Sequence, residues 1–223
     1  FVLSSSKYIE STPPNLKFEK LLLLMNRSKL TFNDLRNVLK TFQNKVVTVV
    51  GDTIVDTLTI CGMVGGQTKT PTISVAVEKK LDFLGGAAIV AAHLSVAGAK
   101  VNFVSVLGTD EKGDFARESI SKFNINNFSI TDSERPTTHK NSIVVGDYRL
   151  IKIDTLSNTT ISDLQLKEIC KSISNLSADA NVFSDFRHGI FNKRTIPVLR
   201  EALPENIFKV ADSQVASRWG NIL

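Results

Sequence analysis

Cysteine is nearly absent from this chain of 223 residues, and the two present, Cys61 and Cys170, have neither C-x-x-C spacing nor a histidine pair beside them. That pattern argues against a disulfide framework and a zinc cage, no other metal-ligand spacing stands out, and a reducing, cytoplasmic compartment is expected. Long apolar runs are missing too: stretches such as residues 21–25 are far too short to cross a bilayer, so no membrane partner is expected. No basic segment leads into an apolar one at the start, and no signal peptide is expected. Runs of one charge are equally scarce. Lysine and arginine number 27 against 22 acids, a net charge of +5, but they are scattered and not interleaved with aromatics. This argues against a nucleic-acid partner and suits phosphorylated small molecules better. Neither G-x-x-x-x-G-K-[ST] nor G-x-G-x-x-G occurs, which removes a P-loop and a dinucleotide site.

What is present is an ordinary globular composition, 42% hydrophobic and 22% charged, enough for a sizeable core in one large domain with a small appendage. Residues 1–44 read as that appendage. The stretch around Ser4, Ser5, Ser6 and Lys7 is polar and Pro13-Pro14 breaks any helix. Amphipathic stretches at 16–26 and 32–42 follow, the second capped by Thr31, so a linker with a helical extension is expected. From Lys45 strands and helices alternate. Strands are expected at 46–50, 72–77, 101–107, 180–184 and 207–211, and helices at 87–97, 112–123, 162–174 and 191–201. This rhythm predicts an α/β fold: a doubly wound, mainly parallel sheet with helices on both faces. Two segments, at about 57–82 and 129–154, break it, being rich in Thr, Val and Ile without helical period. Within the second, residues 143–153 read as a hairpin turning at Gly146-Asp147.

Three short stretches carry the chemistry. Val46-Val-Thr-Val-Val-Gly51 is an apolar run that ends in glycine, with Asp52 and Asp56 just beyond it, where open α/β sheets place ligands. Phe83-Leu-Gly-Gly86 leads into a helix of small apolar residues. Two glycines there allow either a tight turn or close approach of backbone to a ligand. Gly108-Thr-Asp110 is the third.

In order and spacing these stretches resemble the ribokinase-like, PfkB-type carbohydrate kinases. Within that family they are most similar to the kinase half of bifunctional ADP-heptose synthases, with its G-D-x-x-x-D, G-G-A-A-N-V-A and G-x-D patterns. The resemblance implies a small β-sheet lid, formed by the segments at 57–82 and 129–154, which closes over a sugar and often pairs with a second subunit. It also implies an ATP- and Mg2+-dependent sugar or sugar-phosphate kinase, acting on a heptose 7-phosphate-like substrate. Asp56 would accept hydrogen bonds from sugar hydroxyls with Asp52 in support, and Gly85 and Gly86 would bring backbone against the sugar. Gly108 and Asp110 would either join them or serve only as a turn. Thr137-Thr-His-Lys140 lies where these kinases show T-x-K-x-R, so Lys140 is either a phosphate contact or a solvated lysine. Ser184-Asp-Phe-Arg-His-Gly189 resembles S-D-Y-x-K-G, which would put Asp185 in the crevice near the phosphates and let Arg187 or His188 replace a lysine. Asp212 holds the place of a strand-end aspartate. His93 reads as a packed or lid-facing histidine rather than a catalyst. Ser4 to Lys7 resemble the close of a nucleotidyltransferase domain, or are a plain polar terminus.

The resemblance also has gaps. The asparagine expected as a sugar ligand is Ile89, and the arginine expected after Lys140 is Ser142. The G-A-G-D turn, whose aspartate is the general base and whose amides form the anion hole, is not in this sequence and is expected beyond Leu223. No catalytic residue is therefore assigned within the chain, which is expected to be inactive alone. The alternative is a degenerate module that binds a sugar or a partner without catalysis.

Overall fold

The computed structural model describes residues 16–65, 72–215 and 219. Ser4 to Lys7 and Pro13-Pro14 lie outside the described residues, as do 66–71 within the first of the two non-alternating segments. The chain divides at Phe42 into a small helical unit and a large unit from Gln43 onward. In the small unit, α1 (Leu16–Ser28) and α2 (Phe32–Thr41) are joined by a short turn. Thr31 caps α2 reciprocally: its hydroxyl accepts from Asp34 N at 3.2 Å, and the Asp34 carboxylate accepts from Thr31 N at 2.7 Å.

The large unit is built on a five-stranded parallel sheet in the order β11-β10-β1-β4-β6. Its strands are β1 (Val46–Gly51), β4 (Lys100–Val104), β6 (Ile125–Asn127), β10 (Ala180–Asp185) and β11 (Phe208–Ser213). Buried alternate residues sort its side chains to two faces. Val47, Val49, Val101 and Phe103 pack under α3 (Gly86–Val96) and Ile120 of α4 (Glu111–Ser121). Val50, Val104 and Phe183 pack against α5 (Asp163–Asn175) and α6 (Thr195–Glu201). Trp219 closes that second core, its ring 5.3 Å from Phe183 and 5.2 Å from Phe191 between centroids. The chain first builds outward from β1 through β4 to β6 and then crosses to β10 and β11. The order therefore reverses at β1, and open α/β sheets bind ligands at the carboxyl end of such a switch.

Only Asp52 separates β1 from β2 (Thr53–Met63), which leaves the central sheet for a second one. That sheet has the order β3-β2-β8-β9, with β3 (Val75–Gly85), β8 (Thr138–Val145) and β9 (Tyr148–Thr155). Its strands start and end a few residues outside the expected 57–82, and the second segment contributes 138–155. Gly146, at φ +55°, turns the β8–β9 hairpin where the sequence placed it. A network anchors this sheet to α4: Lys112 reaches Asp82 at 2.8 Å, and the Thr57 hydroxyl bonds Asp82 and meets His139 Nε2 at 2.7 Å.

Three expected elements differ. The strand expected over 72–77 is β3, which starts at Val75 and runs on to Gly85. The strand expected over 101–107 breaks at Ser105, whose buried hydroxyl donates to Gly51 O at 2.7 Å, and the chain resumes as β5 (Val106–Gly108), paired with β7 (Ile130–Asp132). The helix expected from 191 begins at Thr195, because the Asn192 side chain takes the amides of Arg194 and Thr195 in a turn.

Candidate functional site

The site is built where β1, β2, α3 and β10 meet. Gly86, at φ +57°, is N1 of α3, and a Cβ there would collide with the Asp52 carbonyl, which accepts from Ala87 N at 2.9 Å. Glycine is required at that position. Gly85 is in ordinary extended conformation at φ −136°, and what a Cβ there would meet is the Asp56 carboxylate. The exposed Asp56 side chain thus lies over the glycine that opens the helix. In register, Phe83, Asp56, Lys140 and Asp154 form one rung across β3, β2, β8 and β9 and share a face. Lys140 therefore stands between two carboxylates.

Lys140 also walls an open cavity of about 420 Å3, together with Arg187, His188, Asn158, Thr160 and Gln214. Arg187 takes the left-handed conformation at φ +66°, and its Nη2 donates to Gln214 at 3.1 Å. His188 Nδ1 donates to Asn158 Oδ1 at 2.9 Å, while Nε2 is buried with no partner among the described residues. Burial, then the charges of Lys140 and Arg187, push the His188 ring down to about 4. At neutral pH the imidazole is uncharged, and the positive charge of the cavity comes from Lys140 and Arg187.

Residues 45–215 match the pfkB family of carbohydrate kinases. The chain belongs to that family. Among curated relatives of this pfkB-family chain is the "Bifunctional protein HldE" of Desulfatibacillum aliphaticivorans, 28% identical over 68% of this chain and 32% of the relative. Another is the "D-beta-D-heptose 7-phosphate kinase" of Bordetella bronchiseptica, 26% identical over 66% of this chain and 47% of the relative. The chain thus spans a third to a half of the length of these curated relatives. The ribokinase-like fold is shared with Escherichia coli phosphofructokinase-2 in complex with substrates and products, at TM-score 0.60 and 13% identity over 78% of this chain and 55% of that one. Arabidopsis thaliana ribokinase complexed with ribose and ATP superimposes at TM-score 0.53 and 14% identity, over 77% and 54%.

The other sequence candidates of this pfkB-family chain fall in varied places. Asp52 is 3% exposed and gives its oxygens to the chain itself: Oδ2 accepts from Phe186 N and His188 N, both at 3.1 Å, and Oδ1 from Ile190 N at 3.3 Å. Burial, aided by the charge of Asp185, raises its carboxyl to about 6 against the pull of those amides. Asp185, expected in the crevice, is buried beneath it, accepting from Arg187 N, the Ser213 hydroxyl and Trp219 Nε1 at 2.9, 2.7 and 3.2 Å. Asp212 is exposed near the end of the outer strand β11 and is not among the residues that line the cavity, although Gln214, two residues on, is. Asp110 serves as a helix cap: Oδ1 accepts from Gly113 N and Oδ2 from Thr137 N. Ile89 is half-buried in the first turns of α3, and His93, expected to be either packed or lid-facing, is exposed.

Sequence reasoning missed Arg135. Its guanidinium donates to the carbonyls of Ser157 and His188, both at 3.0 Å, and of Thr159 at 2.6 Å, stitching together the two loops that wall the cavity. An arginine before a proline in a polar loop gives no local sign of that task. Among the described residues no group of three or more His, Cys, Asp or Glu converges, so they offer Mg2+ no protein cage. They thus do not fit a resident metal. In nucleotide enzymes Mg2+ is commonly carried largely by phosphate oxygens and water.

Proposed function

We propose that this chain supplies the sugar-binding side of an ATP-dependent sugar or sugar-phosphate kinase, with a heptose 7-phosphate-like sugar as substrate. What supports the reading most is the shared rung: Asp56 over the Gly85-Gly86 corner and Lys140 beside it at the mouth of a cationic cavity. A sugar phosphate has this polarity, with hydroxyls at one end and a dianion at the other. In this reading Asp56 accepts hydrogen bonds from hydroxyls, the glycine corner lets the ring approach, and Lys140 and Arg187 hold the anionic substituent. ATP would supply the phosphoryl group, with Mg2+ carried on its phosphates. The base that activates the attacking hydroxyl belongs to the G-A-G-D turn, which this sequence does not contain. The test is phosphoryl transfer from Mg-ATP by the full-length polypeptide across a panel of sugars and sugar phosphates. Absence of turnover with every member sinks the reading.

Ile89 favours a second reading, a module that binds without catalysis, because its side chain cannot make an amide's hydrogen bonds. Ile89→Asn separates the two in calorimetry. A large gain in sugar affinity marks an eroded sugar site, and no binding before or after marks an interaction scaffold.

We further propose that the second sheet pairs with that of another copy. Val77, Ile151 and Ile153 are exposed on the face opposite Asp56 and Lys140, and β3 and β9 are edges. Light scattering at micromolar concentration should give a dimer that Ile151→Asp dissociates, and a monomeric parent protein refutes it.

A further inference from the structure

Resting on the reading of the cavity as an anion site, we propose that Asp52 is a positioning residue: it presets the 186–190 loop so that Arg187 is presented to the anion. The loop is a series of amides wrapped around one carboxylate. Amides 186, 188 and 190 point to Asp52, and the intervening amide of Arg187 goes to Asp185. The carbonyl side is tied as well: His188 O accepts from Arg135, Gly189 O from Ile161 N, and Ile190 O from the Thr195 hydroxyl. Arg187 is held left-handed within this frame, a conformation that a non-glycine residue keeps only where its surroundings over-determine it. Alternating amides directed at a central anion form a concavity that proteins commonly offer to phosphate. Here an internal carboxylate fills it, so the cation on the rim is what remains for a ligand.

The sign of the effect separates positioning from simple electrostatics. Asp52 is a buried carboxylate under a cationic cavity, and by Coulomb attraction alone its removal would strengthen anion binding. If it organises the loop, its removal weakens binding instead.

The experiment is a sulfate titration of the protein and of Asp52→Asn, followed by NMR through the His188 ring and the Arg187 side chain. Sulfate keeps its charge across the working range. The dissociation constant for sulfate should rise about tenfold or more in Asp52→Asn, the scale expected when hydrogen bonds to a charged group are lost. Equal or tighter binding by the variant overturns the role of Asp52 alone. Sulfate that moves neither resonance in the unsubstituted protein overturns the anion cavity and this role with it. Should Asp52→Asn fail to fold, hydrogen exchange of the unsubstituted protein decides. Amides 186, 188 and 190 protected before sulfate is added support the proposal, and amides protected only after it arrives overturn it.

Discussion

Replacing Gly85 and Gly86 by alanine, one at a time, should give opposite results although the two residues are adjacent. At Gly86 the backbone is left-handed, φ +57°, and the new Cβ would strike the main-chain carbonyl of Asp52, with Ile54 N also at 3.1 Å. The conformation costs an L-residue about 1–2 kcal/mol. The carbonyl cannot swing aside without losing its bond from Ala87 N, worth about 1 kcal/mol more. A total of about 2–3 kcal/mol corresponds to a fall of about 4–12 °C in melting temperature for a domain of this size. At Gly85 the backbone is extended, and the atom in the way is the tip of the exposed Asp56 side chain, which can turn. Gly85→Ala should therefore melt within about 2 °C of the parent, because relief of unfolded-chain entropy offsets the small repacking cost. It should nonetheless weaken sugar binding, since Asp56 is displaced from the corner. Thermal melts of the purified proteins with calorimetric titration of sugar phosphates check both halves. Equal melting losses for the two variants would refute the geometry of the turn.

Two further substitutions test the wiring beneath the site. Burial raises Asp52 to about 6 in the fold, against about 3.9 in the unfolded chain. The stability it contributes is therefore complete below pH 4 and is lost as pH rises through 6, by about 3 kcal/mol. The difference in unfolding free energy between Asp52→Asn and the parent, from urea melts at pH 4 and 7.5, should shift by that amount in favour of the variant. Asp82 and Asp110 are held low by their hydrogen bonds despite partial burial and act in the opposite direction. They are present in both proteins and cancel, and parallel curves would refute the assignment. Asp110→Ala removes the acceptor for Gly113 N at 2.8 Å and Thr137 N at 2.7 Å, and should cost about 2 kcal/mol in the same assay. An unchanged urea midpoint would mean that the cap holds nothing.

The central sheet was legible because its signals are local. Val46 to Gly51 alternates two buried faces over six residues, and away from that sheet Thr31 caps its helix and Gly146 marks its own turn. The misread elements are those where a distant partner decides. Ser105 lies in an unbroken β-type run, and the partners found where the strand breaks, the Gly51 carbonyl and the Thr53 hydroxyl, are more than fifty residues away in sequence. The start of α6 is likewise set by an Asn192 side chain that competes for the first amides.

The same division explains the site. Gly86 could be read as a required glycine because the left-handed corner that opens α3 is set within its own turn. Asp52 and Asp185 looked like ligands because strand-end aspartates usually face the crevice. Sequence does not show how many amides a neighbouring loop will aim at a carboxylate. Between them these two take amides 186, 187, 188 and 190, so their negative charge is turned inward and spent on shape. Arg187, Lys140 and the neutral His188 are left at the cavity wall. The crevice expected to hold Asp52, Asp185, Lys140, Arg187 and His188 together keeps only the basic members of that set on its wall, above two buried carboxylates, and under the function proposed above that wall is what an anionic substrate would meet.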